Sequence, residues 1–295
     1  MGSPLGADRT PYTEEKNESR CTRRCAVTLT GPPEQKPLAP PASILSKAFD
    51  VLGAFGPDRR VLTLTEIARG SDLPKSTVHR LIVRLCALGV LEPHGPGFRV
   101  GLPMRRLGSA MPIESLRQSA LPHLGSLHHW AHRHVHLAAL RGSRVVFVER
   151  MMVPGNDFPS ADPGTDLPAH ATALGKALLA HIPEEEARAA LRAPLVPLTA
   201  RTVVDPDAFA AELRGVRKDQ VALARGESHP QVTCVAAPVL IRGRAVAAVS
   251  VSTSAHDAQV SRALRDAVRM TAVRISRDNQ KVLADGHELW FPGPV

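Results

Sequence analysis

Aromatic side chains are scarce: seven Phe, two Trp and one Tyr amount to 3% of the 295 residues. Proteins that grip RNA or single strands stack bases on aromatic platforms, so this shortage disfavours both as ligands. Long apolar runs are missing too. The longest, such as Val235 to Ile241, fall under half the ~20 residues needed to cross a bilayer, and no membrane partner is expected. The first 41 residues show charge and proline where a secretory signal needs an apolar core, which points to a cytoplasmic protein. Only four cysteines occur, Cys21, Cys25, Cys86 and Cys234. In a chain without an export signal they read as reduced thiols, not as a disulfide framework.

Positive charge is what the sequence has in excess. Lys and Arg total 37 against 28 Asp and Glu, a formal charge of +9 and a pI near 10.0. With polyanions favoured and aromatics rare, duplex DNA is the expected partner. The charge is unevenly spread. Residues 1–41 hold seven prolines with six basic and five acidic residues, and read as a disordered leader. Residues 42–108 hold ten basic and five acidic residues, whereas residues 109–295 hold 21 and 18. One small module therefore carries more than half the excess, which suggests that it meets the polyanion while the rest does something else.

Within that module Ile44, Leu45, Ala48, Val51, Leu52 and Phe55 recur at helical spacing after Ser43, a plausible N-cap. Thr65 is expected to cap a short second helix through Ala68, and Gly70 to Pro74 to turn into a third. In that third helix Val78, Leu81, Ile82 and Leu85 fall at i, i+3, i+4 and i+7, one buried stripe. Its other face offers Lys75, Ser76, Thr77, His79, Arg80 and Arg84, which suits a helix lying in a major groove. Residues 90–93 and 98–100, around His94-Gly95-Pro96-Gly97, read as two strands of a wing that carries Arg99. Three helices and a hairpin in this order predict a winged helix-turn-helix over 42–103. A solvated cationic face is the commoner meaning of any single Lys or Arg. Ser76, Thr77 and Thr65 could also be simple caps, but backbone amides at helix N-termini bind phosphate as well.

Residues 104–118 are expected to form a linker helix, 119–284 a second domain, and 285–295 a tail. A helix is predicted over 115–132, a hairpin over 135–140 and 145–148, and a helix opening at Pro168 and running to about His181. Asp205-Pro206 starts another helix. Strands over 232–241 and 245–253 follow, then a closing helix over 257–283. The class is α+β: an antiparallel sheet with helices packed on it, an architecture that often cups a small molecule.

The stretch Leu62-Thr63-Leu64-Thr65-Glu66-Ile67-Ala68 with Leu73 to Leu81 resembles the DNA-binding domain of the IclR (isocitrate lyase regulator) family. His170-Ala171-Thr172-Ala173-Leu174-Gly175-Lys176-Ala177, and Gly226-Glu227 followed after six residues by Cys234-Val235-Ala236-Ala237-Pro238-Val239, resemble its second domain. The resemblance covers residues 43 to about 280. It implies a transcription regulator whose GAF-like second domain binds a small effector. It further implies a homodimer or dimer of dimers on a palindromic operator. The implied effector-binding residues are Cys234, Ser250 and Ser252, with the loop before the Gly-Lys helix that contains Ala171. The chain departs from the family pattern at Ala224, at Gln220-Val221 and at Gln231 or Val232. Those departures remove a polar handle and imply an effector larger or more apolar than the small acids of other members, with neighbouring Arg225 an alternative attraction for a carboxylate.

Cys234 as a nucleophile lacks a base and an oxyanion donor in any recognisable motif, so no enzyme and no cofactor are expected. The cluster His128, His129, His132, His134 and His136 includes pairs at metal-binding spacings, and a metal- or redox-sensing regulator using that cluster or Cys234 is the alternative. No cysteine or carboxylate lies near the histidines in sequence, so the main reading contains no metal site. Cys21 and Cys25 lack a second pair and read as incidental.

Overall fold

The computed structural model describes residues 43–56, 58–153, 160–255 and 260–284, with side chains to residue 280. The expected leader and tail, with Cys21 and Cys25, lie outside them.

Helix α1 (Ile44–Gly53) starts where Ser43 Oγ accepts the Ser46 N–H at 3.1 Å. A two-residue strand β1 (Val61–Leu62) precedes α2 (Leu64–Ser71). The cap of α2 is Thr63, not Thr65: Thr63 Oγ1 accepts the Glu66 N–H at 3.3 Å, and Glu66 Oε2 accepts the Thr63 N–H at 2.8 Å. Glu66 three residues on completes a capping box that Thr65 could not form, and Thr65 stands exposed in the first turn. Helix α2 runs past Ala68 because the turn falls at Asp72, whose φ of 54° is one that a short polar side chain tolerates.

Helix α3 (Lys75–Ala87) buries Val78, Leu81, Ile82 and Leu85 as its spacing requires. The wing strands β2 (Leu91–His94) and β3 (Gly97–Val100) follow, and β1 joins them in a sheet ordered β1-β3-β2. The two-strand wing pattern in the sequence does not announce that third strand. It forces Gly97, where a Cβ would lie 2.7 Å from the Leu62 carbonyl oxygen. Val51, Ile67, Val78, Ile82 and Leu91 close the core of this unit.

The predicted linker helix is two helices, α4 (Met104–Ser109) and α5 (Ile113–Ala131). Pro112 sits at the break, where it lacks an N–H and disfavours helix in the residue before it. Strands β4 (His134–Arg141), β5 (Arg144–Met151) and β6 (Asp166–Pro168) follow. A 3-10 turn (Ala169–Ala171) then leads into α6 (Ala173–Leu179), and α7 (Glu184–Ala190) and α8 (Pro206–Asp219) come next. The expected start at Pro168 is too early, since Thr172 is extended and caps the helix through Gly175 N–H at 2.9 Å. Asp205 caps α8 as predicted.

Strands β7 (Ala222–Arg225), β8 (Val232–Ile241) and β9 (Arg244–Ser254) complete a six-stranded antiparallel sheet ordered β6-β5-β4-β9-β8-β7. The last helix, α9 (Arg262–Ala284), begins later than expected, where Ser261 Oγ accepts the Leu264 N–H at 3.1 Å. One sheet face packs Val135, Leu137, Val235, Val249 and Val251 against α5 and α9. The other packs Ala138, Ala224, Ala236 and Ala248 against α6, α7 and α8. Small residues on this second face leave room for the site. No helix among the described residues is long and apolar enough to cross a membrane.

Candidate DNA-reading face and ligand cavity

With its apolar stripe inward, α3 leaves Lys75, Ser76, His79, Arg80 and Arg84 exposed, and Thr77 half-buried. Among the described residues no ion pair engages Lys75, Arg80 or Arg84. The helix N-cap is Pro74, which makes no side-chain cap bond, so Ser76 and Thr77 are not consumed as caps. The Thr77 N–H turns back onto the Pro74 carbonyl at 2.9 Å, which leaves the Lys75 and Ser76 amides at the head of α3 for an anion such as phosphate. Arg99 is also exposed, but its guanidinium is held by Glu92 at 3.0 Å. Glu92 in turn accepts the Leu102 N–H, and these bonds hold its carboxyl below the usual range. Arg99 thus braces the wing base and offers less free charge than the cations of α3.

In the second domain, Cys234 on β8 and Ser250 and Ser252 on β9 converge on one cavity of about 30 Å³. The antiparallel register sets Cys234 opposite Ser252, and His136 of β4 opposite Ser250. Ser252 Oγ lies 3.2 Å from Cys234 Sγ and 3.5 Å from His136 Nδ1, while His136 Nε2 meets Ser160 Oγ at 2.8 Å. Phe147 stands edge-on to the imidazole, with ring centres 5.5 Å apart. Burial pushes the His136 pKa down to about 3 and the Cys234 thiol up to about 11, so both are neutral near pH 7. Ser250, 1% exposed, has a hydroxyl with no hydrogen-bond partner among the described residues. An orphaned buried hydroxyl costs ~1–3 kcal/mol.

Two other residues singled out in the sequence do not reach the cavity. Ala171 is fully buried in the 3-10 turn, and it is Thr172, Ala173 and Leu174 that form the wall. Arg225 is exposed, and alternation along β7 turns it to the face opposite Ala224, which pairs with Cys234. The histidine cluster is dispersed: His128 Nδ1 bonds the Arg133 carbonyl at 2.8 Å, His134 Nδ1 accepts the Val153 N–H, and His136 faces the cavity. Among the described residues no group of three or more His, Cys, Asp or Glu is placed to hold a metal. The raised Cys234 pKa also opposes thiolate chemistry, so neither arm of the metal- or redox-sensing alternative is favoured.

Beside the cavity lies an arrangement that spacing alone does not reveal. Lys176 is 0% exposed, and its Nζ donates to Glu212 at 2.7 Å and to both carboxylate oxygens of Glu227 at 2.7 Å. This ion group ties α6 to α8 and to the loop after β7. Gly175, one residue earlier, lets α6 close on the 3-10 turn before it: a Cβ there would lie 2.1 Å from the Ala169 carbonyl oxygen. Glu227 directly precedes Ser228, a cavity-wall residue, and Lys176 shares a helix with two others. A larger open groove of about 690 Å³ runs between α7 and α8 over Phe209 and Leu213, rimmed by Arg192 and Arg214.

A winged helix-turn-helix with a free cationic face, joined to a sheet-and-helix domain that holds a small, largely apolar cavity with a few polar groups, has the build of a DNA-binding transcriptional regulator. Comparison with known proteins agrees. Residues 44–95 match the IclR helix-turn-helix domain, and residues 109–277 match the C-terminal domain of IclR bacterial transcriptional regulators. The chain is 35% identical to the transcriptional regulator BhcR of Paracoccus denitrificans over 84% of this chain and 86% of that one. It is 34% identical to the regulator TtgV of Pseudomonas putida over 61% and 69%. A solved IclR homologue from Microbacterium hydrocarbonoxydans, in complex with 4-hydroxybenzoate, superposes with a TM-score of 0.70 at 30% identity, covering 81% of this chain and all of that one. The chain therefore belongs to the IclR family, whose members are transcriptional regulators and not enzymes.

Proposed function

We propose that this protein is a cytoplasmic, ligand-responsive regulator that binds a palindromic operator as a homodimer or dimer of dimers. Each α3 enters a major groove, Arg80 and Arg84 contact guanine edges or phosphates, and Lys75, Ser76, Thr77 and Thr65 anchor the backbone. His79 and Arg99 flank those contacts. The observation that carries the reading is the exposure of an unpaired cationic face directly behind a dry stripe on one helix. Self-association is supported by Ile44, Leu45 and Phe49, large apolar side chains left exposed on α1. An effector in the cavity beside Cys234, Ser250 and Ser252 would shift the population of arrangements able to span both half-sites. Support for that location is the partnerless Ser250 hydroxyl.

The test is binding of Arg80→Ala and Arg84→Ala to a duplex selected from a random library and to its scrambled counterpart. A loss of ~1–3 kcal/mol on the selected duplex, larger than on the scramble, is expected. Equal loss on both would make these arginines phosphate contacts, and no loss on either would overturn the docking.

A further inference from the structure

Val83 is the one large apolar side chain of α3 that the fold leaves exposed, at 56%. It takes no part in the core of its unit, which Val78, Leu81, Ile82 and Leu85 enter from the same helix. Helix formation does not call for it either. A β-branched residue holds a helix less well than the Leu, Lys or Arg that would fit a solvated position. A lone exposed valine is ordinary on a protein surface; the company this one keeps is not. Ser76, Arg80, Val83 and Ala87 follow at i, i+4, i+7 and i+11, which sets them in one row along α3, opposite the buried stripe. All four are exposed, and no ion pair engages Arg80 among the described residues. In the docking proposed above, on which this inference rests, that row faces the base edges at the floor of the groove.

A valine side chain can neither give nor accept a hydrogen bond. Set against adenine, guanine or cytosine it would cover polar edge atoms without pairing them, whereas thymine presents a methyl group at C5. We propose that Val83 is a specificity-determining residue that reads a thymine methyl in each half-site. Val83 lies three residues beyond Arg80, about 4.5 Å along the helix axis, against ~3.4 Å between successive base pairs. The thymine therefore stands one or two pairs from the pair that Arg80 faces.

The test uses the full-length protein and the duplex selected from a random library, with each thymine of the two half-sites replaced in turn by deoxyuridine, which removes only the methyl. Affinities of the natural protein and of Val83→Ala are read by fluorescence anisotropy. Val83→Ala removes exposed atoms and puts a better helix former in their place, and thermal unfolding confirms that it folds. The natural protein should lose about fourfold per half-site at one thymine position, the change expected for one buried methyl. Val83→Ala should bind the intact duplex more weakly by a similar factor and be indifferent to that replacement. Uracil sensitivity that persists undiminished in Val83→Ala, as a change in DNA shape would produce, overturns the assignment. So does a duplex in which every thymine tolerates the replacement; if the natural protein still prefers that duplex to its scramble, the docking of α3 stands without Val83. Absence of any preference over the scramble overturns the docking, and this inference with it.

Discussion

Among single residues, Lys176 is the buried cation on which the second domain's ion group turns. Its ammonium is wholly buried and faces two carboxylates, so removing it strands negative charge inside the fold. Lys176→Met should cost ~3–5 kcal/mol, the usual penalty for breaking a buried pair. Thermal unfolding checks this, and adding Glu227→Gln to the variant should restore part of the loss. Both residues stand in motifs that are visible in the sequence, yet their contact is not, because 51 positions separate them. Cys234, Ser250 and Ser252 were legible through family resemblance. His136 stands in the sequence as one of several histidines, since its place in the cavity wall depends on β4 lying beside β9, a pairing that no local pattern announces.

Helices with strong apolar periodicity were readable as elements: α3 because its stripe is complete, and α8 because Asp205-Pro206 marks its start unmistakably. Shorter pieces were missed. Strands β1, β6 and β7 have two to four residues, too few for alternation to show, and each exists because a longer neighbour offers it an edge. The start of α2 is ambiguous in the sequence because two threonines both satisfy the preference for capping hydroxyls, and only the reciprocal bond with Glu66 separates them. Thr63→Ala should therefore lower stability by ~1 kcal/mol, whereas Thr65→Ala should leave it within ~0.5 kcal/mol. Chemical denaturation of both variants distinguishes the two caps. Thr65→Ala is expected to show its effect in DNA affinity instead.

Across the whole molecule, charge divides the labour: the DNA-reading part holds ten basic and five acidic residues, the remainder after residue 108 a near balance of 21 and 18. Operator affinity should then fall linearly in a log-log plot against salt, and Lys75→Ala should reduce the slope by ~1 for each protomer bound. Titrations across a salt series measure it, and an unchanged slope would remove Lys75 from the phosphate contacts. The chamber beside Ser250 has a consequence of its own. At about 30 Å³ its free volume is small, so a guest of metabolite size would have to displace side chains of the described wall, and the contacts of His136 with Ser160 and Ser252 are the ones its arrival would rearrange.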